Sequence, residues 1–252
     1  MKKNYRFVLQ ALVLLVPVSF MSQLSFAEDA PPPPGILESY LCSYLPGQDQ
    51  DDLMKAKDNL VKSLNAAGIP LRDTYLWNHY KGDSQADIIW HTVYPNLGAW
   101  ASDSDASAGA SAMAGVGARF DEVVDCVPMM GGIRALHVQE EQGSGSFISS
   151  SACNTKHGVN QQGVEDLYSH MSGVLGGMGD AAPDMVIAVQ PFTSGPNSPD
   201  VVIFDVNDSA TSWTNFVTAL NSGNGMVGRH FNTTLECSFN MWSSQQIIEA
   251  SD

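Results

Sequence analysis

Histidine side chains are the first residues of this chain to weigh for acid–base or metal chemistry. His79, His91 and His230 each have an aromatic or basic neighbour. No two histidines form an H-x-x-x-H or H-E-x-x-H pattern, and the sequence contains no Cys-x-x-Cys-His segment. Those are the spacings of common metal sites and of covalent haem attachment. The sequence therefore predicts no metal and no cofactor, although non-covalent haem, which needs only one axial residue, stays open as an alternative.

Two acidic groups raise the alternative of calcium binding. They are D-Q-D-D at 49–52 and D-S-D at 103–105. Neither has the EF-hand order of ligands with a central Gly and a closing Glu. Both fall where the first turn of a helix is expected, and carboxylates stabilise a helix at that end. Helix capping and solvation are the preferred interpretation.

The elements that must position these side chains occur in the order βαββαβ, and they occur twice. D-I-I-W-H-T-V-Y-P-N-L-G-A-W at 87–100 returns as D-V-V-I-F-D-V-N-D-S-A-T-S-W at 200–213. Apolar periods of two residues mark the strands, and helical periods mark the segments between them. This order is the split βαβ of ferredoxin-like folds. The predicted fold class is α+β, with two tandem ferredoxin-like repeats packed sheet to sheet.

The four cysteines support the duplication. Cys42 and Cys126 are 84 residues apart, as are Cys153 and Cys237, and the second pair follows the first at an offset of 111. The first and last strands of a ferredoxin-like unit are neighbours, so each pair is predicted to form one disulfide. The alternative of a four-thiol metal site lacks any paired C-x-x-C spacing.

The chain divides into five predicted segments. Residues 1–27 read as a cleaved signal peptide, with a basic start, a short apolar run and a small-residue end. Residues 28–35 form a Pro-rich lead, and residues 140–146 form a polar linker. The two repeats span 36–139 and 147–248. We therefore expect a periplasmic or secreted protein, in a compartment that permits disulfides.

The mature chain is strongly acidic. The whole sequence has a formal charge of −15, and removal of residues 1–27 leaves 9 basic against 27 acidic residues, a charge of −18. Such a field repels nucleic acid and anionic lipid surfaces, so neither is an expected partner. We expect a monomer in which the two repeats act as a built-in dimer.

Alternation along the strands assigns side chains to two faces. In the third strand of each repeat, one alternate set becomes polar at one end and is predicted to face the space between the sheets. The other alternate set is mostly apolar and is predicted to pack under the helices. His91 belongs to this second set and is interpreted as a hydrogen-bonded core residue. The set expected between the sheets is Ile36, Glu38, Tyr40, Ile88, Trp90, Thr92, Tyr94, Val201, Ile203, Asp205 and Asn207. The set expected under the helices is Leu37, Ser39, Leu41, Ile89, His91, Val93, Val202, Phe204 and Val206.

These assignments predict a ligand-binding cleft between the two sheets, lined by aromatic groups and a few carboxylates. His79, which is expected at the barrel rim, and His230 complete the candidate set. The competing interpretation is a filled core with satisfied polar groups. The candidate cleft residues are Glu38, Tyr40, Trp90, Thr92, Tyr94 and Asp205.

The chain resembles the dimeric α/β-barrel superfamily. The resemblance rests on the element order, on V-V-I-F-D-V at 201–206, on Trp213 in the following helix, and on G-R-H-F at 228–231; the first repeat has G-A-R-F instead. It implies an intramolecular barrel made of two ferredoxin-like units. The family includes cofactor-free monooxygenases of aromatic compounds, isomerases and haem-handling enzymes, so membership does not select one reaction.

Two functions follow from these observations. The first is an exported protein that binds a small apolar or aromatic ligand, or a partner, between its sheets; the absence of a nucleophile–base pair favours it. The alternative is a cofactor-independent monooxygenase- or isomerase-like enzyme acting on an aromatic substrate. In that enzyme His230 or Asp205 would be the base, and Trp90 and Tyr94 would hold the ring. The sequence does not decide whether the chain is an enzyme.

Overall fold

The computed structural model describes residues 35–140, 143–192, 198–223 and 225–251. The predicted signal peptide and nearly all of the Pro-rich lead lie outside these ranges. In the part of the chain that is described, no helix has the length and apolar character needed to cross a membrane.

The described residues form two successive sets of strands and helices in the predicted order. The first half contains β1 (Gly35–Tyr44), α1 (Gln50–Ala67), β2 (Thr74–Gly82), β3 (Ile88–Tyr94), α2 (Leu97–Gly109), a 3-10 turn (Ser111–Met113), α3 (Val116–Asp121) and β4 (Val124–Val138). The second half contains β5 (Phe147–Thr155), α4 (Gln161–Gly176), a 3-10 turn (Gly179–Ala181), β6 (Met185–Pro191), β7 (Val201–Asn207), α5 (Ala210–Gly223), α6 (Gly225–Thr234) and β8 (Leu235–Ile248).

The strands close into one antiparallel barrel in the order β1-β3-β2-β8-β5-β7-β6-β4. Each half contributes four neighbouring strands, with the last strand beside the first. The halves join along two seams, where β2 pairs with β8 and β4 pairs with β6. Closure leaves no free sheet edge in this barrel. The predicted α+β class and the barrel are confirmed.

Glycine allows the strands to approach closely at both seams. A Cβ atom at Gly131 in β4 would lie 2.5 Å from the Gln190 carbonyl oxygen of β6. A Cβ atom at Gly82, where φ is +131°, would lie 2.4 Å from Oδ1 of Asn240 in β8. A side chain at either position would therefore push the two halves apart.

The two halves begin their first helices with the same kind of cap. The Asp49 carboxylate accepts hydrogen bonds from the backbone N–H groups of Asp51 and Asp52, at 2.9 and 3.2 Å. Asn160 caps α4 in the same way, accepting from Gly163 N–H at 3.0 Å. The predicted capping role of the first acidic group is confirmed. The prediction for the second is wrong, because residues 103–105 lie in the middle of α2.

Both predicted disulfides are present. Cys42 bridges Cys126, and Cys153 bridges Cys237, each pair lying directly opposite in neighbouring strands. All four cysteines of the chain are therefore bridged.

The predicted assignment of strand faces is inverted. Ile89 and Val93 point into the barrel interior, where they pack against residues of the other half such as Phe204 and Trp242. Ile88 and Trp90 point outward, under the helices of the first half. Both faces of each strand are covered, one by helices and the other by the opposite sheet, so both are apolar and alternation alone cannot tell them apart.

His91 shows the consequence of this inversion. Its ring lies inside the barrel with only 1% of its surface exposed, and its Nδ1 lies 2.7 Å from the Ser39 hydroxyl. The Trp77 ring contacts it at a centroid distance of 4.0 Å. Burial lowers the pKa of His91 to about 3. His91 is thus a neutral, hydrogen-bonded core residue, but on the opposite face from the one predicted.

Candidate functional site

A cavity of about 830 Å³ lies between the sheet of the first half and helices α1 to α3. Strands β1 and β3 form its floor, and the three helices form its roof. Most of the wall is apolar, which is typical of a site for a small organic molecule. Apolar and aromatic residues of this wall include Leu53, Leu60, Trp90, Met113, Val116 and Phe120.

Helix α2 explains why this space is open. Its sequence is rich in Ala and Ser, and none of its side chains is buried. The α2 residues that line the cavity are Asp103, Ser104 and Ser107. Such short side chains do not reach across to the sheet, so the layer between helix and sheet stays incompletely filled.

Glu38, on the cavity floor, is the centre of a hydrogen-bonded cluster. Its Oε1 accepts hydrogen bonds from the Tyr40 hydroxyl and from Trp100 Nε1, both at 3.2 Å. Its Oε2 accepts one from the Tyr94 hydroxyl, also at 3.2 Å. Residues 38 and 40 share a face of β1, Tyr94 ends β3, and Trp100 reaches down from α2.

The two tyrosines of this cluster remain protonated donors. Burial, followed by the charge of Glu38 and the hydrogen bond to it, raises the pKa of Tyr40 to about 12. The same causes, again led by burial, raise the pKa of Tyr94. Loss of either phenol proton would place a second negative charge beside the carboxylate.

The charged groups of the cavity wall are mostly acidic. Arg72 forms a two-point ion pair with Asp103, with Nε–Oδ2 and Nη2–Oδ1 distances of 2.8 and 3.2 Å. Its guanidinium also lies 5.9 Å from the centre of the Tyr94 ring. Asp121 and Asp125 are exposed at the rim. With Glu38, the described wall therefore has four carboxylates and one guanidinium, which is already paired.

Similar folds occur in solved structures, although no protein-family model and no curated protein matches the sequence. A provisionally assigned monooxygenase from Fusobacterium nucleatum superposes with a TM-score of 0.56 at 12% identity, covering 86% of this chain and 94% of that one. A provisionally assigned monooxygenase from Lactobacillus acidophilus gives 0.52 at 9% identity, covering 86% and 99%. A provisionally assigned chlorite dismutase gives 0.53 at 7% identity, covering 84% and 96%.

The chain has the dimeric α/β-barrel fold. At these identities the likeness concerns the fold alone, and the resemblance found in the sequence is confirmed at that level.

In this dimeric α/β barrel, the structure brings five of the eight candidate ligand-binding residues together. They lie on the helix side of the first half, and not between the sheets as predicted. The space between the sheets is the filled barrel interior. The five residues that line the cavity are Glu38, Tyr40, Trp90, Thr92 and Tyr94.

Asp205 lies in the other half of the molecule. It is the counterpart of Thr92 on β7, and its Oδ2 accepts a hydrogen bond from the Ser149 hydroxyl at 2.7 Å. Burial raises the pKa of Asp205 to about 6, an effect that the Ser149 hydrogen bond partly offsets. Asp205 therefore cannot act on a molecule bound beside Trp90 and Tyr94, and that predicted combination is wrong.

The two candidate histidines are also separate from the cavity. His79 contacts Trp242 inside the barrel, at a ring-centroid distance of 5.0 Å. His230, on α6, has its Nδ1 3.0 Å from Nδ1 of His170 on α4. His230 is thus not a base for the first-half cavity.

The sequence reasoning missed Arg72, Trp100 and Asp103. Trp100 and Glu38 are 62 residues apart, and Arg72 and Asp103 are 31 apart, so neither pair forms a local motif. The sequence does contain one signal for the second pair. Arg72 comes just before β2, and Asp103 lies in a helix that is otherwise rich in small residues, so the two could form an ion pair across the helix layer. No spacing rule selects those two residues from the others.

The donor set of the cavity fits haem poorly. Among the described lining residues there is no histidine, and the sulfur atoms of Cys42 and Cys126 are bridged. The wall contains one thioether, that of Met113, but methionine ligates haem iron together with a histidine in cytochromes c. Tyr40 and Tyr94 are held as protonated donors to Glu38, so neither offers a phenolate to iron. The propionates of a haem would also face an excess of carboxylates.

Proposed function

We propose that the first-half cavity binds a small, largely apolar or aromatic molecule. The observation that supports this most directly is the cavity of about 830 Å³, whose mostly apolar wall has one concentrated polar cluster around Glu38. Apolar surface would supply most of the binding free energy, and the cluster would orient the ligand. The binding space is thus between sheet and helices.

We also propose that the mature chain is exported and works as a monomer. The signal-peptide pattern at 1–27 and the two disulfides support export. The two continuous seams support a built-in dimer, because each half completes the barrel that a second chain would otherwise have to close. The equal cysteine spacing and the matching strand order support an origin by tandem duplication of a ferredoxin-like unit.

An enzyme is the second candidate, favoured by the position of Glu38 on the cavity wall. A carboxylate beside an apolar space can remove a proton from a bound aromatic compound and return it at another atom. Fold neighbours that are provisionally assigned as monooxygenases agree with this alternative. In an isomerase-like reaction of this kind, Glu38 would be the base in place of Asp205 or His230. It would have the same role in a monooxygenase-like reaction, in which molecular oxygen oxidises the deprotonated compound and the second oxygen atom leaves as water. Replacement of Glu38 by Gln would then stop turnover while binding persists.

Binding is tested with Nile red, a neutral apolar dye whose fluorescence rises in apolar surroundings. We expect one saturable site per chain. Ser107→Phe places an aromatic ring in the cavity and should weaken dye binding at least about tenfold, the effect of losing about 1.4 kcal/mol. Ser102→Phe makes the same change on the same helix at an exposed position outside the cavity wall, and should bind like the wild type.

Circular dichroism and urea unfolding must show that both variants are folded. Absence of saturable dye binding to the wild type, or equal binding by the two variants, would contradict the proposed function. A Trp100→Phe variant gives an independent check, since it removes one donor to Glu38 without filling the cavity and should retain the dye.

A further inference from the structure

We propose that the first-half cavity selects organic cations: molecules with an aromatic or aliphatic body and a protonated amine. This inference rests on the proposed function, because it names the ligand class of that same cavity. It is carried by the charge of the wall, by a free acceptor position on Glu38, and by the aromatic rings around it.

The charge of the wall favours cations over anions. Four carboxylates face the cavity or its rim, and the Arg72 guanidinium is held in a two-point pair by one of them. The other three carboxylates are Glu38, Asp121 and Asp125. A bound carboxylate or phosphate would meet these charges, and the described wall offers it no free cationic partner, which is costly in an apolar space. A bound ammonium would meet the opposite sign.

Glu38 has room for one more hydrogen-bond donor. A carboxylate offers about four lone-pair positions. Among the described residues, Oε1 accepts from Tyr40 and Trp100, whereas Oε2 accepts only from Tyr94. The remaining position on Oε2 can accept an N–H from an ammonium group, and such a charge-assisted bond contributes about 1.5–3 kcal/mol.

Aromatic rings near the carboxylate suit the same ligand. Tyr40, Trp90, Tyr94 and Phe120 line the cavity, and the last of these packs edge-on against Trp90 at 5.4 Å. Arg72 already places a cation 5.9 Å from the Tyr94 ring centre. Ring faces attract cations and also bury the apolar body of the ligand.

A metal ion does not account for these carboxylates. In the described ranges no three His, Cys, Asp or Glu side chains are grouped closely enough to hold one. The acidic groups are spread along the wall and rim, so they create a field across the cavity and not a chelating site. A diffuse field of this kind matches one positive charge on an extended organic molecule.

The test uses three probes with one skeleton: phenylbutylamine, phenylbutanol and phenylbutanoate, each displacing Nile red from the full mature chain at neutral pH. We expect the amine to displace the dye at a concentration at least about tenfold below that of the alcohol, as one charge-assisted hydrogen bond predicts. The carboxylate should be the weakest. Glu38→Gln should remove most of the amine's advantage, whereas Glu236→Gln, an identical change at an exposed position of β8, should preserve it.

Each outcome has a distinct meaning. If the dye binds but amine and alcohol displace it equally, or the carboxylate displaces it best, cation selection is overturned and the proposed binding function stands. If the dye itself finds no saturable site, the proposed function fails first. If Glu38→Gln fails to fold, the double variant Asp121→Asn/Asp125→Asn is tested in its place. An unchanged preference of this variant for the amine over the alcohol at low salt would contradict the proposal.

Discussion

The two halves of the barrel differ in how the helix after the third strand packs on its sheet. Helix α2 leaves an open cavity over its sheet, whereas α5 packs onto its own. The helices align at an offset of 113, because Trp100 and Trp213 each donate a backbone N–H to their helix cap, at Asn96 and Ser209. The three α2 residues that line the cavity, each with its α5 counterpart, are Asp103 and Phe216, Ser104 and Val217, and Ser107 and Leu220.

These three positions account for much of the difference. Phe216 has only 6% of its surface exposed and belongs to the second-half core, which Val217 and Leu220 also join. The corresponding α2 side chains are short and polar and line open space. The floor differs as well, since Ser149 replaces Glu38. One half is thus packed under its second helix, and the other keeps an open cavity at some cost in packing.

Removal of either disulfide should have the largest effect and should affect both halves alike. Both bridges join cysteines 84 residues apart. In the chain-entropy model each stabilises the fold by roughly 4–5 kcal/mol. We expect Cys42→Ala/Cys126→Ala and Cys153→Ala/Cys237→Ala to lose similar free energies of unfolding, measured with urea. A difference above about 2 kcal/mol would show that the halves differ beyond their helix layers.

Truncation of the second-half core is the next largest effect. Phe216→Ala should lower the free energy of unfolding by about 3–5 kcal/mol, because it leaves a cavity under α5. Ser107→Ala, in the cavity wall of the first half, should change it by less than about 0.5 kcal/mol. Urea titration of both variants checks this. A loss below about 1 kcal/mol for Phe216→Ala would contradict a tightly packed second half.

The overall architecture could be predicted because its signals repeat at fixed offsets. Cys42 and Cys126 recur as Cys153 and Cys237, and strand adjacency in the βαββαβ order then fixes the bridges. The periodicities gave the element order for the same reason: each strand and helix is specified by its own residues. Those local rules are the ones a sequence displays directly.

The location of the site could not be predicted, because it depends on which side of the sheet each residue faces. Ile88 and Ile89 are equally apolar, since one is covered by helices and the other by the opposite sheet. The cavity also depends on what α2 lacks, and its Ala and Ser residues carry no positive signal. The Glu38–Trp100 hydrogen bond joins two elements that meet only in the folded barrel.

The two halves should also differ in how their helix-facing sheet residues make stability depend on pH. Asp205 has a pKa of about 6 in the fold against 3.8 as the ordinary value, whereas its first-half counterpart, Thr92, does not titrate in this range. A raised carboxyl pKa means that the folded state binds the extra proton, so the stability contributed by Asp205 decreases as pH rises from about 4 to about 6. Asp205→Asn should therefore gain stability over the wild type across that interval, by at most about 3 kcal/mol.

The measurement is the difference in free energy of unfolding between Asp205→Asn and the wild type, from urea titrations at several pH values. Other titrating groups, including His91, are common to both proteins and cancel. Asp200→Asn should give the opposite sign, because hydrogen bonds from Thr155 lower the pKa of Asp200 and its contribution is lost as pH falls. A pH-independent difference for Asp205→Asn would contradict the burial of this carboxyl group.

The smallest effect should come from making the first half resemble the second. The double variant Ser104→Val/Ser107→Leu gives α2 two of the apolar side chains that α5 presents to its sheet. At roughly 25 cal/mol per Å² of apolar surface buried, two partly covered side chains should add about 1 kcal/mol to the free energy of unfolding. Ser102→Val, on the exposed part of α2, supplies the control for the change in helix propensity. Because the new side chains occupy the cavity, Nile red binding should weaken while stability rises. If the variant becomes more stable but binds the dye as the wild type does, the apolar side chains that α5 presents to its sheet do not explain the difference between the two halves. The cause of the open cavity would then have to lie in α1 or α3.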